Sequence, residues 1–226
     1  MTRSVDEQGT TTGSAVPGPR TAAELPAEPA GVAEEAPGGD PSLIGLPLFI
    51  VGAVGLGLVL VGFVPAASGG AAIPIIMTAT GVGLLVAALW AARLAQNAVA
   101  GVFAMFSGFW ISYAALVLGL GHNWFGIATA DVSRSVELFL IAWLVGIGLL
   151  TLGSVRLPLV YTVLFALVEV ALLLDLLGTA NASTGLVTTA GWVVFLFTAL
   201  GAYLFLSSMS TATGGRPYPM GRPIVS

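Results

Sequence analysis

The chain is dominated by six long apolar stretches that are separated by short polar or glycine-rich breaks. The stretches cover residues 43–64, 73–92, 98–120, 136–154, 157–177 and 188–208. An apolar helix of about 18 or more residues is long enough to cross the roughly 30 Å hydrocarbon core of a bilayer. The pattern therefore predicts an all-α integral membrane protein with six transmembrane helices per protomer, and it leaves no room for a soluble domain.

Residues 1–39 have a different composition, rich in Thr, Ser, Gly, Pro, Ala and Glu and without any aromatic residue. Such a segment cannot bury enough apolar surface to offset its ordering entropy, so we expect a disordered tail. It lacks the basic start and apolar core of a signal peptide. The tail is either a docking or regulatory segment or a solvated extension. We divide the chain into this tail, a transmembrane domain at 40–210 and a short C-terminal tail at 211–226.

Charged residues make up only 8% of the chain and are unevenly distributed. Two arginines and seven acids give residues 1–40 a net charge of −5, while five arginines and four acids give the rest +1. No basic patch indicates nucleic acid, and without cysteine there is no disulfide or thiolate chemistry. The one histidine, His122, lies in a predicted loop, and no nucleophile elbow is present. We therefore expect no catalytic residue, no metal site and no cofactor.

The arginines outside the tail predict the orientation of the spans. If the amino terminus is cytoplasmic, four arginines fall on the inside and one on the outside. The four are Arg93, Arg156, Arg216 and Arg222, and the one is Arg134. Arginine near the ends of spans favours the cytoplasmic side. We therefore expect a multi-pass protein of the plasma (cell) membrane with both termini in the cytoplasm.

Small residues recur every four positions along the second span, at Gly83, Ala87, Ala91 and Ala95. A stripe of this kind lets two helix backbones approach closely inside a membrane. It indicates either an interface between subunits or packing within one protomer, and the spacing fits both.

Five short motifs follow one another along the spans. Residues 40–46 read Asp-Pro-Ser-Leu-Ile-Gly-Leu, and the third span runs from Phe103 to Phe109-Trp110. The other three are Trp143 followed by Gly153-Ser154 and Arg156, Gly191-Trp192 followed by Tyr203, and Pro219-Met220-Gly221. Together they resemble the acetate uptake transporter family, the succinate–acetate permeases, over about residues 40–223. The resemblance implies a six-helix transporter of small monocarboxylates that assembles as a homo-oligomer, a hexamer.

Four positions depart from the family's pattern, and one of them is Leu43, which stands where the signature has its second Pro. Asp40 stands in place of the signature Asn, and Phe106 stands where the family has an aromatic hydroxyl. Leu84 falls on a polar Gln expected in the second span. The lining of the passage is therefore expected to be more apolar than in the known acetate and succinate carriers, which leaves the substrate open.

The signature at the start of the first span is a candidate entrance, formed by Asp40, Pro41, Gly45 and Leu46. Proline is favoured in the first turn of a helix, where its missing N–H costs nothing. The free N–H groups of a helix start attract anions. The segment is therefore either part of an anion vestibule or an ordinary capped helix start. The charge of Asp40 opposes the anion interpretation and favours capping.

The resemblance also assigns a narrow hydrophobic constriction to Phe49, Phe106 and Val168. A ring of apolar side chains passes small solutes and resists water and ions, as in hydrophobic gates. The alternative is that these side chains face lipid or the packed interior of the helix bundle, which is the usual position of Phe and Val.

Glu169 lies near the middle of the fifth span, between apolar neighbours. An ionisable group at that depth costs about 2.5–3.5 kcal/mol on insertion scales, so it is expected to face the interior in its neutral form. It is a candidate for proton coupling, and the alternative is a structural acid bonded to a neighbouring helix. Asp175 lies on a different face of the same helix and is expected to be a solvated or capping residue near the membrane edge.

The leading hypothesis is uptake or proton symport of small monocarboxylates, with acetate first. The second is a channel-like pore for acetate or another small solute. The third, from a different class, is a structural or regulatory membrane protein that no longer transports. The expected partners are a small carboxylate, protons if transport is coupled, the lipid bilayer and further copies of the chain.

Overall fold

The computed structural model describes residues 38–225, except for the side chains of residues 66 and 67. The described part contains six helical segments that are long and apolar enough to cross a membrane, which confirms the predicted all-α architecture. Its α-helices are α1 (Ser42–Leu60), α2 (Gly83–Arg93), α3 (Asn97–Gly121), α4 (Val132–Gly153), α5 (Leu159–Ala180) and α6 (Thr184–Ala212). The predicted disordered tail lies outside the described residues, except for Gly38 and Gly39.

The fourth and sixth spans extend furthest beyond their apolar stretches. The fourth runs over Thr129–Arg156 and the sixth over Thr184–Ala212. At the start of α4, Arg134 forms a 2.7 Å salt bridge with Glu137 one turn later, so the helix begins before the predicted apolar stretch at residue 136. At the start of α6, the Ser183 hydroxyl accepts a hydrogen bond from the Leu186 N–H at 3.4 Å. Hydropathy marks only the part of a helix that matches hydrocarbon, whereas polar ends extend beyond it.

The helices pack around a centre formed by α1, α3, α5 and α6. α6 lies between α1 and α5, α3 packs along the second span, and α4 contacts the rest mainly through α5. The outer face of α4 exposes a row of large apolar side chains, at Leu138, Ile141, Val145, Leu149 and Leu152. An exposed row of this kind fits a helix surrounded by lipid. The protein is an integral, multi-pass membrane protein.

The second span is not a regular α-helix. After a 3₁₀ segment, Ala66–Ala72, it continues as a π-helical segment, Ile75–Val82, before α2 begins. A π-helix shifts the hydrogen-bond register and leaves backbone groups available to other partners. The Ser107 hydroxyl on α3 donates to the carbonyl of Gly81 at 2.8 Å, and the Thr80 hydroxyl donates to the carbonyl of Leu48 on α1 at 2.8 Å. The π segment therefore joins α1 and α3 at one level of the membrane.

The small-residue stripe of the second span packs inside the protomer. Ala87 and Ala91 are 0% exposed in a single chain, and a Cβ atom at Gly83 would collide with Leu48 on α1. Ala95 lies past the end of α2 in a turn, with a φ of 56°. Of the two interpretations of the stripe, the structure supports packing within one protomer.

The C-terminal segment folds back onto the start of α5. The Tyr203 hydroxyl on α6 donates to the carbonyl of Pro219 at 2.8 Å, and the Val160 N–H donates to the carbonyl of Met220 at 3.2 Å. Gly221 has a φ of +74°, and a Cβ atom there would lie 2.9 Å from the Leu159 Cβ atom. The last motif of the sequence is therefore a docking segment that requires glycine.

Candidate functional site

An inner cavity of about 310 Å³ lies along the helix bundle. It opens where α1, α3 and α5 begin, since Ser42, Ala98 and Pro158 line its mouth. That volume lies at the lower end of the range for small-molecule sites, about 300–1,000 Å³. Leu84 is fully buried and lines this cavity, at the position where the resemblance implies a polar Gln. The wall is accordingly almost entirely apolar.

The inner cavity ends at Phe49 and Phe106. Both rings line this cavity and also a second, smaller one on the far side. Their centroids are 5.2 Å apart with the planes at 70°, an edge-to-face pair. The structure thus brings these two predicted constriction residues together between two cavities.

Two further aromatic rings complete this barrier. Phe197 on α6 lies with its centroid 5.8 Å from that of Phe49, and Phe165 on α5 lies 6.0 Å from that of Phe106. Neither residue belongs to a motif in the sequence, although Phe165 precedes Val168 by three positions, a spacing that shares a helix face. Val168 itself is buried and lines only the second cavity.

The second cavity has a volume of about 40 Å³ and a mainly apolar wall that includes three polar side chains. Trp110 and Tyr113 from α3 and Asp175 from α5 line it, together with Phe49, Phe106 and Val168 and other apolar side chains. Asp175, expected to be a solvated or capping residue, is half-buried and borders this cavity. It lies seven residues after Val168, which is two helical turns and hence the same face. That spacing was the signal in the sequence.

The predicted entrance residues lie at the start of α1. Asp40 Oδ1 accepts a hydrogen bond from the Ser42 N–H at 2.9 Å, and the carbonyl of Pro41 accepts from the Gly45 N–H at 2.9 Å. Pro41 is fully buried, and Leu46 lines the inner cavity. The first N–H groups of α1 are therefore already paired, which is the arrangement of a capped helix start.

Gly45 has a packing role. A Cβ atom at this position would collide with the ring of Phe103, which belongs to the third-span motif. The close approach of α1 to α3 beside the inner cavity therefore requires the glycine of the first motif, and the phenylalanine of the second motif fills the space.

Glu169 lies away from both cavities. Its carboxyl group packs between α5 and α4, with Oε1 3.6 Å from the position of a Cβ atom on Gly148. This oxygen is buried and has no hydrogen-bond partner in the described part of the chain. The side chain is thus at the α4–α5 contact, one helix face away from Val168, and its coupling role stays a prediction.

Other polar chemistry is sparse. Over residues 38–225, no three His, Asp or Glu side chains come close enough to hold a metal ion. His122 is exposed after α3, where its Nδ1 lies 3.0 Å from the carbonyl of Leu118 and its ring stacks on Trp124. Nothing in this arrangement links it to the cavities.

An apolar chamber, an aromatic barrier and a second chamber, all within six membrane-spanning helices, define a class of protein that passes small solutes across membranes. The chain belongs to the GPR1/FUN34/yaaH family, whose family model matches residues 25–215. This is the acetate transporter family that the motifs resemble, so the resemblance is confirmed.

A solved structure supports the same fold. The chain is similar to the bacterial acetate channel SatP with a TM-score of 0.71 and 21% sequence identity, over 81% of this chain and 99% of that one. A likeness at this identity shows the six-helix fold. No curated protein sequence matches the chain.

Proposed function

We propose that this protein carries small monocarboxylates, acetate first, across the cell membrane through the passage between α1, α3, α5 and α6. The observation behind the proposal is that Phe49 and Phe106 line both cavities, so that one pair of rings lies between them and would control the path. Membership of the acetate transporter family supports the substrate class. So does the similarity to the acetate channel SatP.

The passage suits a small solute with one carboxyl group. Its inner chamber is apolar, so a long polar or doubly charged solute would lose hydration there without compensation. The starts of α3 and α5 border the mouth of the chamber, and helix amino termini provide a positive potential that favours anions. A methyl group attached to one carboxylate meets both conditions.

Uptake of labelled acetate into proteoliposomes tests the proposal. Wild-type protein should admit acetate faster than protein-free liposomes do. Phe106→Trp enlarges one ring of the barrier and should reduce uptake, whereas Phe63→Trp makes the same change at an exposed ring outside both cavities and should not. Equal uptake by all three proteins would contradict this path, and uptake no faster than in empty liposomes would contradict transport itself.

The same preparation separates the carrier from the channel. A proton symporter should accumulate acetate when a proton gradient is applied, whereas a channel-like pore should only equilibrate it. Glu169→Gln tests the predicted coupling role of Glu169. The variant should exchange acetate and fail to concentrate it if that residue couples protons. Accumulation at the wild-type level would end that hypothesis.

The assembly proposed here is a homo-oligomer, a hexamer, in the plasma membrane with both termini in the cytoplasm. The exposed apolar faces of α4 and of the neighbouring spans leave surface for such contacts. Native mass spectrometry from detergent should give six copies, and a monomeric mass under conditions that retain transport would contradict the hexamer. The non-transporting alternative predicts a stable protein with no uptake in any of these assays.

A further inference from the structure

We propose that Trp110, Tyr113 and Asp175 form a binding site for the carboxyl group of a small monocarboxylic acid, directly beyond the aromatic barrier. In this site Asp175 and the bound acid share one proton. The inference rests on the proposed function and adds to it a location, a set of ligands and a proton count for the step that follows the barrier.

The indole N–H of Trp110 is the first observation. Trp110 is 2% exposed and lines the second cavity, yet its Nε1 has no hydrogen-bond partner in the described part of the chain. A buried tryptophan N–H is normally paired, because an unmade hydrogen bond in the interior costs free energy. A ligand with an acceptor oxygen in this cavity would supply the missing partner.

The second observation is what surrounds that N–H. Tyr113 follows Trp110 by three positions on α3, so both side chains lie on one helix face, and Asp175 faces them from α5 across the cavity. A tryptophan N–H and a tyrosine O–H are donors, and a carboxylate is an acceptor. This is the set required by a carboxylic acid, which has one acceptor carbonyl and one donor hydroxyl.

Asp175 has no compensating charge nearby. The cavity side chains from α1, α4 and α6 are apolar: Leu56, Leu60, Leu140, Val194 and Phe197. Tyr113 is the other titratable group among the lining residues described. The salt bridge found in residues 38–225 joins Arg134 to Glu137 within α4 and does not involve Asp175. A solute carboxylate would therefore meet a like charge here unless one proton lies between the two carboxyl groups.

The acid and Asp175 share a single proton while the acid is bound. When the acid arrives undissociated, its O–H donates to the Asp175 carboxylate while Trp110 and Tyr113 donate to its carbonyl oxygen. Transfer of the proton leaves a solute carboxylate and a protonated Asp175, with the same pair of oxygens joined by the hydrogen bond. The net charge of Asp175 and the bound acid together is the same before and after the transfer. Each acid therefore crosses this site with one proton.

The size of the cavity limits the ligand. Its volume of about 40 Å³ is small beside the 310 Å³ of the inner cavity. The space therefore accommodates a carboxyl group with at most a short alkyl chain. The acid reaches this space by passing between the rings of Phe49 and Phe106. A second carboxyl group, as in succinate, has neither room nor a partner.

Asp175→Asn in proteoliposomes tests the site. Above neutral pH, wild-type uptake corrected for empty liposomes should be first order in protons, falling about tenfold per pH unit because one proton is required. An asparagine amide donates to the anion without a proton, so uptake by the variant should be nearly independent of pH. Asp131→Asn makes the same change at an exposed acid outside the cavities and should keep the wild-type profile.

The donors are tested by Trp110→Phe and Tyr113→Phe, which keep a ring and remove one hydrogen bond. Each should raise the half-saturating acetate concentration by up to about tenfold, the effect expected from losing one hydrogen bond to a neutral carbonyl oxygen. If Asp175→Asn is not monodisperse in detergent, these two variants still test whether the binding site exists. Unchanged half-saturation in both would overturn the site, and would leave a trapped water as the partner of the Trp110 N–H.

Infrared difference spectroscopy gives a readout independent of transport. Adding ¹³C-labelled acetate should produce a band from a protein carboxylic acid that disappears in Asp175→Asn and persists in Glu169→Gln. A band lost only in Glu169→Gln, or a pH profile flattened only by that variant, would overturn the assignment to Asp175. Absence of uptake by wild-type protein would instead overturn the proposed function, so the two failures are distinguishable.

Discussion

Removing one hydroxyl group in the second span tests whether the π segment holds the aromatic barrier in place. Thr80 is fully buried, and its hydroxyl donates to the carbonyl of Leu48, the residue before Phe49. On the other side, Ser107 is the residue after Phe106 and donates to the carbonyl of Gly81. Both rings of the barrier are thus adjacent to a hydrogen bond with the same segment.

Thr80→Val keeps the shape of the side chain and deletes its hydrogen bond. Such a loss costs about 1 kcal/mol, and more when the acceptor is left unpaired in the interior. Leu48 lies within α1, where its carbonyl retains a helical partner, so we expect a cost of about 1 kcal/mol. For a chain of this size that corresponds to a melting temperature lower by about 2–4 °C.

The assay is thermal unfolding in detergent, combined with uptake of acetate and of the longer acid propionate. A looser barrier should raise propionate uptake relative to acetate. Thr198→Val is the matched control, because its buried hydroxyl donates at 2.6 Å to the carbonyl of Val194 in the same helix and joins no second helix. Equal melting shifts in the two variants, with unchanged acid selectivity, would refute this account of the π segment.

Gly52→Ala should lower the free energy of unfolding by about 1–3 kcal/mol, because its new Cβ atom would overlap the Thr80 side chain. Gly55→Ala, whose Cβ atom would have its nearest neighbour at 3.9 Å, should be tolerated. Equal melting temperatures of the two variants would contradict the close contact between α1 and Thr80. A single cysteine at the exposed Thr184 should react with an impermeant thiol reagent added outside the cell. A single cysteine at the exposed Ala212 should react only when the reagent has access to the inside. Labelling of Ala212 in intact cells would contradict cytoplasmic termini.

The number and order of the spans could be predicted from the sequence because burial in hydrocarbon imposes a minimum apolar length. The helix ends could not, since the ends lie where polar residues are tolerated. Arg134 and Glu137 interrupt the apolar pattern, yet they pair with each other on the first turn of α4. The π segment likewise has no signature in composition, because its register depends on bonds to α1 and α3.

Half of the aromatic barrier could be predicted, and only through the family. Phe49 and Phe106 match family positions, and the structure places their rings in contact. Phe165 and Phe197 could not be selected, because a phenylalanine on an apolar helix packs equally well against lipid. What distinguishes them is the direction of their helix faces, which depends on how α5 and α6 pack.

The two acids of α5 illustrate the same point. Depth in the membrane made Glu169 the candidate, whereas position on the helix face puts Asp175 beside the passage. An ionisable group in a span is expected to face the protein interior, and Glu169 meets that rule at the α4–α5 contact without reaching a cavity. The sequence indicates how deep a residue lies in the membrane, but it does not indicate whether the side chain faces a cavity or a contact between two helices.

The most direct test of the central claim uses the absence of cysteine from the chain. In proteoliposomes, Leu46→Cys places a single thiol in the inner cavity, and Thr213→Cys places one on the exposed end of α6. Treatment with a small thiol reagent should stop acetate uptake only in the Leu46 variant, and excess acetate should slow that modification. Full uptake after complete modification of Leu46→Cys would contradict a passage through this cavity.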